Sequence, residues 1–142
     1  MLKRNITYID YNDQTVTEEL YFNLTKAELA KLQVKMDGKY LDHLKYLIAN
    51  QKVEGIFDFF YNLVLDAYGR RSEDGKKFYK TKEERDEFEA SIAFSELLAE
   101  LINDTPAMSA FSRAILPKDF QGIDVPPIEV VAGDAPALPA FD

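Results

Sequence analysis

The hydrophobic pattern of the chain is strongest over residues 53–78, where it predicts a long helix followed by a charged turn. Apolar side chains recur there at steps of three and four, which is the period of one helix face. A second apolar stripe lies beside the first, so a helix with this pattern should be buried on more than one side. The main stripe is Val53, Ile56, Phe57, Phe60, Leu63, Val64 and Ala67, and the second is Phe59, Tyr61, Leu65 and Tyr68.

The residues after this helix predict its end and a tight turn. Gly69 suits the left-handed conformation that commonly follows the last turn of a helix. Residues 72–75 (Ser-Glu-Asp-Gly) suit a type I turn in which Gly75 has a positive φ. The basic residues on either side of this turn could form short extended arms.

The first residues of the chain predict a β-hairpin. Residues 3–10 and 15–23 are rich in β-forming side chains and alternate loosely between polar and apolar. Asn12 and Asp13, which are turn formers, lie between them. Two strands alone are marginally stable in water, so this hairpin should pack on the helices or pair with another chain.

Helix-start signals divide the rest of the chain. Thr25 with Glu28, and Thr81 with Glu84, have the spacing of capping boxes, and Thr105 precedes a proline suited to a first helical position. Beside the central helix, the predicted helices cover about residues 26–34, 39–51, 82–90, 94–103 and 105–117, with Ser91 as an interruption.

These elements predict an α+β fold that is mostly α. An N-terminal β-hairpin (residues 1–24) is followed by a bundle of five to six short helices (residues 25–117). From residue 118 the chain holds four of its six prolines and no persistent period, which predicts a disordered acidic tail over residues 118–142.

Composition limits the classes of function. The 142 residues suit one domain, and the absence of cysteine excludes disulfides and thiolate zinc sites. The formal net charge of −8 disfavours nucleic acid and anionic membranes as partners. No apolar run is long enough to span a bilayer and no signal sequence precedes the domain, so we expect a cytoplasmic protein.

Three groups of residues might suggest chemistry, and each favours a structural interpretation. His43 is the only histidine and has no partner ligands at metal-binding spacing, so we expect it at the surface. The carboxylates of residues 83–89 alternate with basic residues at a helix start, which favours a solvated face over a two-metal site. Residues 70–71 and 76–77 are basic, but Glu73 and Asp74 lie between them, which favours a structural turn over an anion site. We therefore expect no catalytic residues, no metal and no cofactor.

The second apolar stripe of the central helix has two interpretations. It marks either an inner helix of a bundle or an apolar groove that binds a helix of a partner protein. We expect Phe57, Phe60 and Val64 of the main stripe in the core. The predicted partner-binding residues are those of the second stripe, Phe59, Tyr61, Leu65 and Tyr68.

Several stretches of the chain together resemble one protein family. They are residues 21–29 (YFNLTKAEL), 65–78 (LDAYGRRSEDGKKF) and 86–91 (DEFEAS), with 94–97 (FSEL) behind them. Over about residues 8–117 the chain resembles the tail assembly chaperones of long-tailed bacteriophages of Gram-positive hosts. The turn at residues 68–75 is the most specific part of this resemblance.

The resemblance implies a non-enzymatic function in virion morphogenesis. Such proteins bind the tape-measure protein, keep it soluble, and promote polymerisation of the tail tube around it. They act in the host-cell cytoplasm and are absent from the mature virion. The tail-tube protein and a second copy of the chain are further candidate partners. The alternative is a structural tail or head–tail joining protein that is retained in the virion.

Overall fold

A computed structural model describes residues 1–49 and 57–121 and places an antiparallel hairpin at the N-terminus, as predicted. Strand β1 (Leu2–Ile9) pairs with β2 (Thr15–Phe22) along its whole length. The connecting turn is held by Asp10, whose carboxylate accepts the backbone N–H groups of Asn12 and Gln14 at 2.8 and 2.9 Å. This network satisfies the turn locally, so the turn fixes the register of the hairpin.

The hairpin is one half of a four-stranded antiparallel sheet. Strand β3 (Tyr68–Arg71) pairs with β2, and β4 (Phe78–Tyr79) pairs with β3, which gives the order β1-β2-β3-β4. The predicted turn between the two basic arms connects β3 and β4, and Gly75 has the predicted positive φ of 75°. The pairing of these arms with the N-terminal hairpin was not predicted.

Seven helices follow or interleave with the strands within the described ranges, and the prediction of a mostly helical α+β fold is confirmed. They are α1 (Lys26–Lys35), α2 (Tyr40–Ala49), α3 (Phe57–Ala67), α4 (Lys82–Glu89), α5 (Ile92–Ile102), α6 (Thr105–Ala114) and α7 (Lys118–Gln121).

Side-chain caps set most of the helix starts. Thr25 and Glu28 form the complete capping box predicted for α1. Thr81 caps α4 as predicted, but the carboxylate of Glu84 pairs with an arginine of β3. The prediction for α6 is wrong by one residue, since Asp104 accepts the N–H of Ala107 and is the cap.

The prediction of a left-handed Gly69 after α3 is wrong. Ala67 ends α3, Tyr68 begins β3 directly, and Gly69 lies in the strand opposite Tyr21. Its φ is not among the positive ones. Glycine is required here for space, because a Cβ on Gly69 would lie 2.6 Å from the ring of Phe78.

One hydrophobic core joins the sheet to the helices. Phe60 and Val64 of α3 are fully buried, as predicted, and meet Phe22 of the sheet in the same cluster. The prediction that Phe57 is core is wrong, since 41% of this residue is exposed. Because the hairpin shares this core, it packs on the helices. This is one of the two expected arrangements, the other being pairing with another chain.

Parts of the predictions fall outside the described residues. These parts are the start of the central helix, with Val53 and Ile56, the last residues of the helix at 39–51, and the tail from residue 122 onward. The first four residues assigned to the tail form α7, and Phe120 within it packs against the core. The division of the chain at residues 24 and 117 stays a prediction.

Candidate functional site

The second apolar stripe of α3 is divided between two sides of the helix. Phe59 faces α2, where its ring meets Tyr40 and His43 edge-on with centroid separations of 4.9 Å each. It is half-buried and packs against the core. Phe59 therefore contributes mainly to the contact between α2 and α3.

Tyr61 lies on the opposite side, towards α4 and α5. Its ring packs edge-on against Phe94 at 5.1 Å, and its hydroxyl donates to the carboxylate of Glu89 at 2.7 Å. This hydrogen bond is the main reason why the pKa of Tyr61 is raised. The residue stays half-buried, so part of the ring remains accessible to a partner.

The remaining two residues of the stripe are more enclosed. Leu65 is 3% exposed and belongs to the core. Tyr68 stacks on Phe88 with ring centroids 3.9 Å apart and meets Phe22 edge-on. Burial raises the pKa of Tyr68. The four predicted residues therefore do not form one continuous surface.

A row of aromatic rings connects the solvent to the core along this side of α3. We call it the aromatic row; successive centroids are 3.9–6.1 Å apart, and its members are Phe57, Tyr61, Phe94, Phe88 and Tyr68. Phe94 and Phe88 are buried, whereas Phe57 at the end of the row is exposed. Aromatic side chains with partly accessible rings are typical contact residues of protein interfaces.

Sequence reasoning missed Phe57 as a surface residue. The helical period places it on the same face as Phe60 and Val64, but it lies in the first described turn of α3. A period gives the direction of a side chain and not whether neighbouring elements extend far enough to cover it. No local signal would have shown its exposure.

One carboxylate contacts the aromatic row, and the helix that carries it has further exposed carboxylates. Glu89 binds Tyr61, and α4 carries three further exposed carboxylates, on Glu83, Asp86 and Glu87. Asp86 is paired with Lys82, four residues earlier in the same helix. Within the described ranges, no group of three or more acidic or histidine side chains could hold a metal ion.

The charged turn after β3 is an ordered structure of its own. The carboxylate of Asp74 accepts the Ser72 hydroxyl and the Lys76 N–H, and these bonds lower the pKa of Asp74. Arg70 pairs with Glu84 at 2.7 Å, and Arg71 lies over the ring of Tyr21. Because separate partners hold the two arginines, the four basic residues do not converge on one anion.

His43 is half-buried rather than fully at the surface. Its ring meets Phe59, and burial lowers the pKa of the imidazole. This position is consistent with a packing role on α2.

The structure reveals one polar contact that the sequence did not suggest. The ammonium group of Lys80 donates to the backbone carbonyls of Asn23 and Asp66 at 2.6 and 2.8 Å, and to the carboxylate of Glu28 at 2.9 Å. Burial lowers the pKa of Lys80, although Glu28 acts in the other direction. The acceptors come from three separate parts of the chain, so no local pattern could have identified the site.

None of the described helices combines the length and the apolarity that crossing a bilayer requires. Apart from Phe57 of the aromatic row, the large apolar side chains that are exposed among the described residues are single ones on the hairpin and on α1, namely Met1, Ile9, Tyr11 and Val34.

Comparison with known proteins gives a family match. The sequence model of a family described as phage tail assembly chaperone matches residues 1–126. The match extends past residue 117, where the resemblance seen in the sequence ended. No curated protein and no solved structure matches the chain.

Proposed function

The chain belongs to the phage tail assembly chaperone family, and from this premise we propose that it binds the tape-measure protein and keeps it soluble. In this proposal, binding promotes the polymerisation of the tail tube around the tape-measure protein. The chaperone acts in the host-cell cytoplasm during assembly and is absent from the finished virion. The phage is a long-tailed one of a Gram-positive host.

The exposed end of the aromatic row is the observation that supports this proposal best. Phe57 is a large apolar residue that the described part of the domain leaves 41% exposed, and its ring lies 6.1 Å from that of Tyr61. Together their accessible parts form a small apolar surface at the start of α3, which we call the apolar step. A partner helix that covers such a step with its own apolar face would bury both rings.

The charge around this step specifies the partner further. Glu89 lies at the hydroxyl of Tyr61, and the exposed carboxylates of α4 are on the same helix as Glu89. A partner helix with lysine or arginine beside its apolar face would be favoured over an acidic one. In this proposal the partner contacts Phe57 and Tyr61 directly. Of the other predicted residues, the half-buried Phe59 and Tyr68 can contribute only their accessible parts, and Leu65 is buried.

Co-expression with the tape-measure protein of the same phage tests the proposal. Phe57→Ser and Tyr61→Ser should each reduce the amount of soluble tape-measure protein that co-purifies. Tyr11→Ser is the matched control, because Tyr11 is 89% exposed at the hairpin turn and far along the chain from α3. The assigned surface would be contradicted if Phe57→Ser and Tyr61→Ser kept the circular dichroism of the wild type and co-purified as much tape-measure protein as the wild type does.

Mass spectrometry of purified virions separates a chaperone from a structural component. A chaperone should be missing from the particles, whereas a tail or head–tail joining protein would be present at a fixed copy number. Presence at fixed copy number would overturn the proposed role. Contacts with the tail-tube protein and self-association stay predictions that the same co-purification can test.

A further inference from the structure

Helix α1 is attached to the domain by one face and presents lysines on the other. Leu29 is its only buried residue. The exposed side chains are Lys26, Ala27, Ala30, Lys31, Val34 and Lys35, and Val34 is 77% exposed. We call these six residues the basic face of α1. A valine this exposed between lysines provides both apolar and positive surface for a ligand.

The lysines of this face have little negative charge to balance them. The only acidic residue of α1 is Glu28, which is engaged by Lys80. Among the described residues, Lys31 and Lys35 form no ion pair, whereas Lys26 pairs with Asp119 of α7 at 2.5 Å. Lys26, the first lysine of this face, is therefore already paired with a residue of α7.

The position of α7 determines where the rest of the chain leaves the domain. Phe120 packs against the core, and Asp119 is held at the first residue of α1. The described part of the chain therefore ends close to the N-terminal end of the basic face. Twenty-one residues can extend over up to about 70 Å, several times the roughly 15 Å length of α1.

The composition of residues 122–142 complements the basic face. The segment contains four of the 25 acidic residues of the chain and none of its 17 basic residues. Ile128, Val130 and Val131 surround Glu129 in its centre. Carboxylates spaced between apolar residues match lysines that flank a valine.

We propose that residues 122–142 dock on the basic face of α1 of the same molecule. The carboxylates of the segment pair with Lys31 and Lys35 and its apolar residues cover Val34, which continues the contact that Asp119 makes with Lys26. The contact is weak for free peptides, but a tether of this length gives an effective concentration on the order of 1 mM. A contact with a dissociation constant in that range is then occupied about half of the time.

Paramagnetic relaxation enhancement tests this proposal in the full chain. The chain has no cysteine, so Ala140→Cys provides a single site for a nitroxide label. The label should strongly weaken the backbone amide signals of α1, and those of α4 much less, because relaxation enhancement falls steeply with distance and a half-populated docked state dominates its average. Raising the salt concentration should weaken the effect, since the ion pairs are exposed.

Charge reversal distinguishes docking from chance proximity. Lys31→Glu with Lys35→Glu should restore the α1 signals. Lys76→Glu with Lys77→Glu is the matched control, because these lysines are also exposed and lie in the β3–β4 turn. The control pair changes the net charge by the same amount and should leave the α1 effect in place.

Three results would overturn the proposal. The α1 signals could be unaffected by the label, or affected equally in both charge-reversed pairs. A mixture of unlabelled ¹⁵N-protein and spin-labelled ¹⁴N-protein could also reproduce the effect, in which case the segment of a second copy covers the face. None of these results depends on the tape-measure protein, so they leave the proposed function untouched.

Discussion

At the residue scale, Lys80 holds three parts of the chain together through one ammonium group. The carbonyl of Asp66 belongs to the last turn of α3, the carbonyl of Asn23 follows β2, and Glu28 belongs to the capping box of α1. Terminal carbonyls of a helix lack an intrahelical partner and need an external donor. Lys80 therefore satisfies a helix end and joins it to the sheet.

Lys80→Met should destabilise the domain by about 2–4 kcal/mol, because it leaves the carbonyls of Asn23 and Asp66 without this donor and the carboxylate of Glu28 without its positive partner. Chemical denaturation followed by circular dichroism measures the difference. Lys76→Met, at an exposed lysine of the charged turn, should change stability by less than about 0.5 kcal/mol. Similar effects from both variants would show that the Lys80 contacts contribute nothing specific.

Gly69→Ala is predicted to destabilise by about 1–3 kcal/mol through overpacking, since the new methyl group would meet the ring of Phe78 at 2.6 Å. Combining it with Phe78→Leu should cost less than the sum of the two single changes, because the smaller side chain leaves room. A double-mutant cycle by thermal denaturation measures this coupling. Strict additivity would show that the ring of Phe78 is not what restricts position 69.

At the element scale, α3 contacts several helices through its aromatic rings: Phe59 meets α2, Phe60 meets Phe111 of α6, and Tyr61 meets Phe94 of α5. It is buried at Phe60, Leu63 and Val64, and it continues into β3 without a loop. Its first described turn differs, because Phe57 and Asp58 are exposed. A helix that is buried along one part and exposed at one end can serve both the core and a partner.

Two alanine substitutions on the same face of α3 should therefore differ. Phe60→Ala should cost about 3–5 kcal/mol because it opens a cavity in the core. Phe57→Ala should cost less than about 1 kcal/mol, since 41% of the residue is already exposed and less packing is lost. Urea denaturation of the two variants provides the comparison, and equal losses would place Phe57 in the core after all.

Most features with local signals were predicted correctly, although the cap of α6 and the conformation of Gly69 were not. The capping box at Thr25, the turn at Gly75 and the alternation in β1 and β2 each depend on residues within a few positions, and all were predicted correctly. The pairing of β3 with β2 was not predicted, although extended arms beside the turn were, because the partner Phe22 is distant in the sequence.

For the candidate site as well, the sequence predicted local features and missed those that depend on the tertiary structure. The helical period identified Tyr61 as part of a second stripe on α3. It could not show that Phe59 packs towards α2 while Leu65 is covered, because this depends on which elements surround the helix. The exposure of Phe57 and the contacts of Lys80 are likewise properties of the tertiary structure.

At the scale of the whole molecule, the C-terminal part of the chain has two different relations to the domain. Helix α7 is attached through Phe120 and through the pairing of Asp119 with Lys26. For the residues after α7 we propose only the weak docking on α1 argued above.

Truncation should reveal this difference. Deleting residues 122–142 should lower the melting temperature by less than about 3 °C, because exposed ion pairs contribute little to stability. Deleting residues 118–142 should lower it by about 5 °C or more, since the packing of Phe120 is then lost. Calorimetry of the two truncated proteins measures both values. A large loss from the shorter deletion would mean that residues 122–142 form part of the core.

The join between β2 and β3 also has a consequence for the synthesis of the chain. The β1–β2 hairpin closes through a short turn and can form as soon as its residues leave the ribosome. Its second edge is completed only when Tyr68 and Gly69 arrive to pair with Phe22 and Tyr21. At usual rates of translation this takes on the order of seconds. During that interval the nascent chaperone carries an open strand edge of its own, so it must avoid aggregation before it can prevent it in another protein.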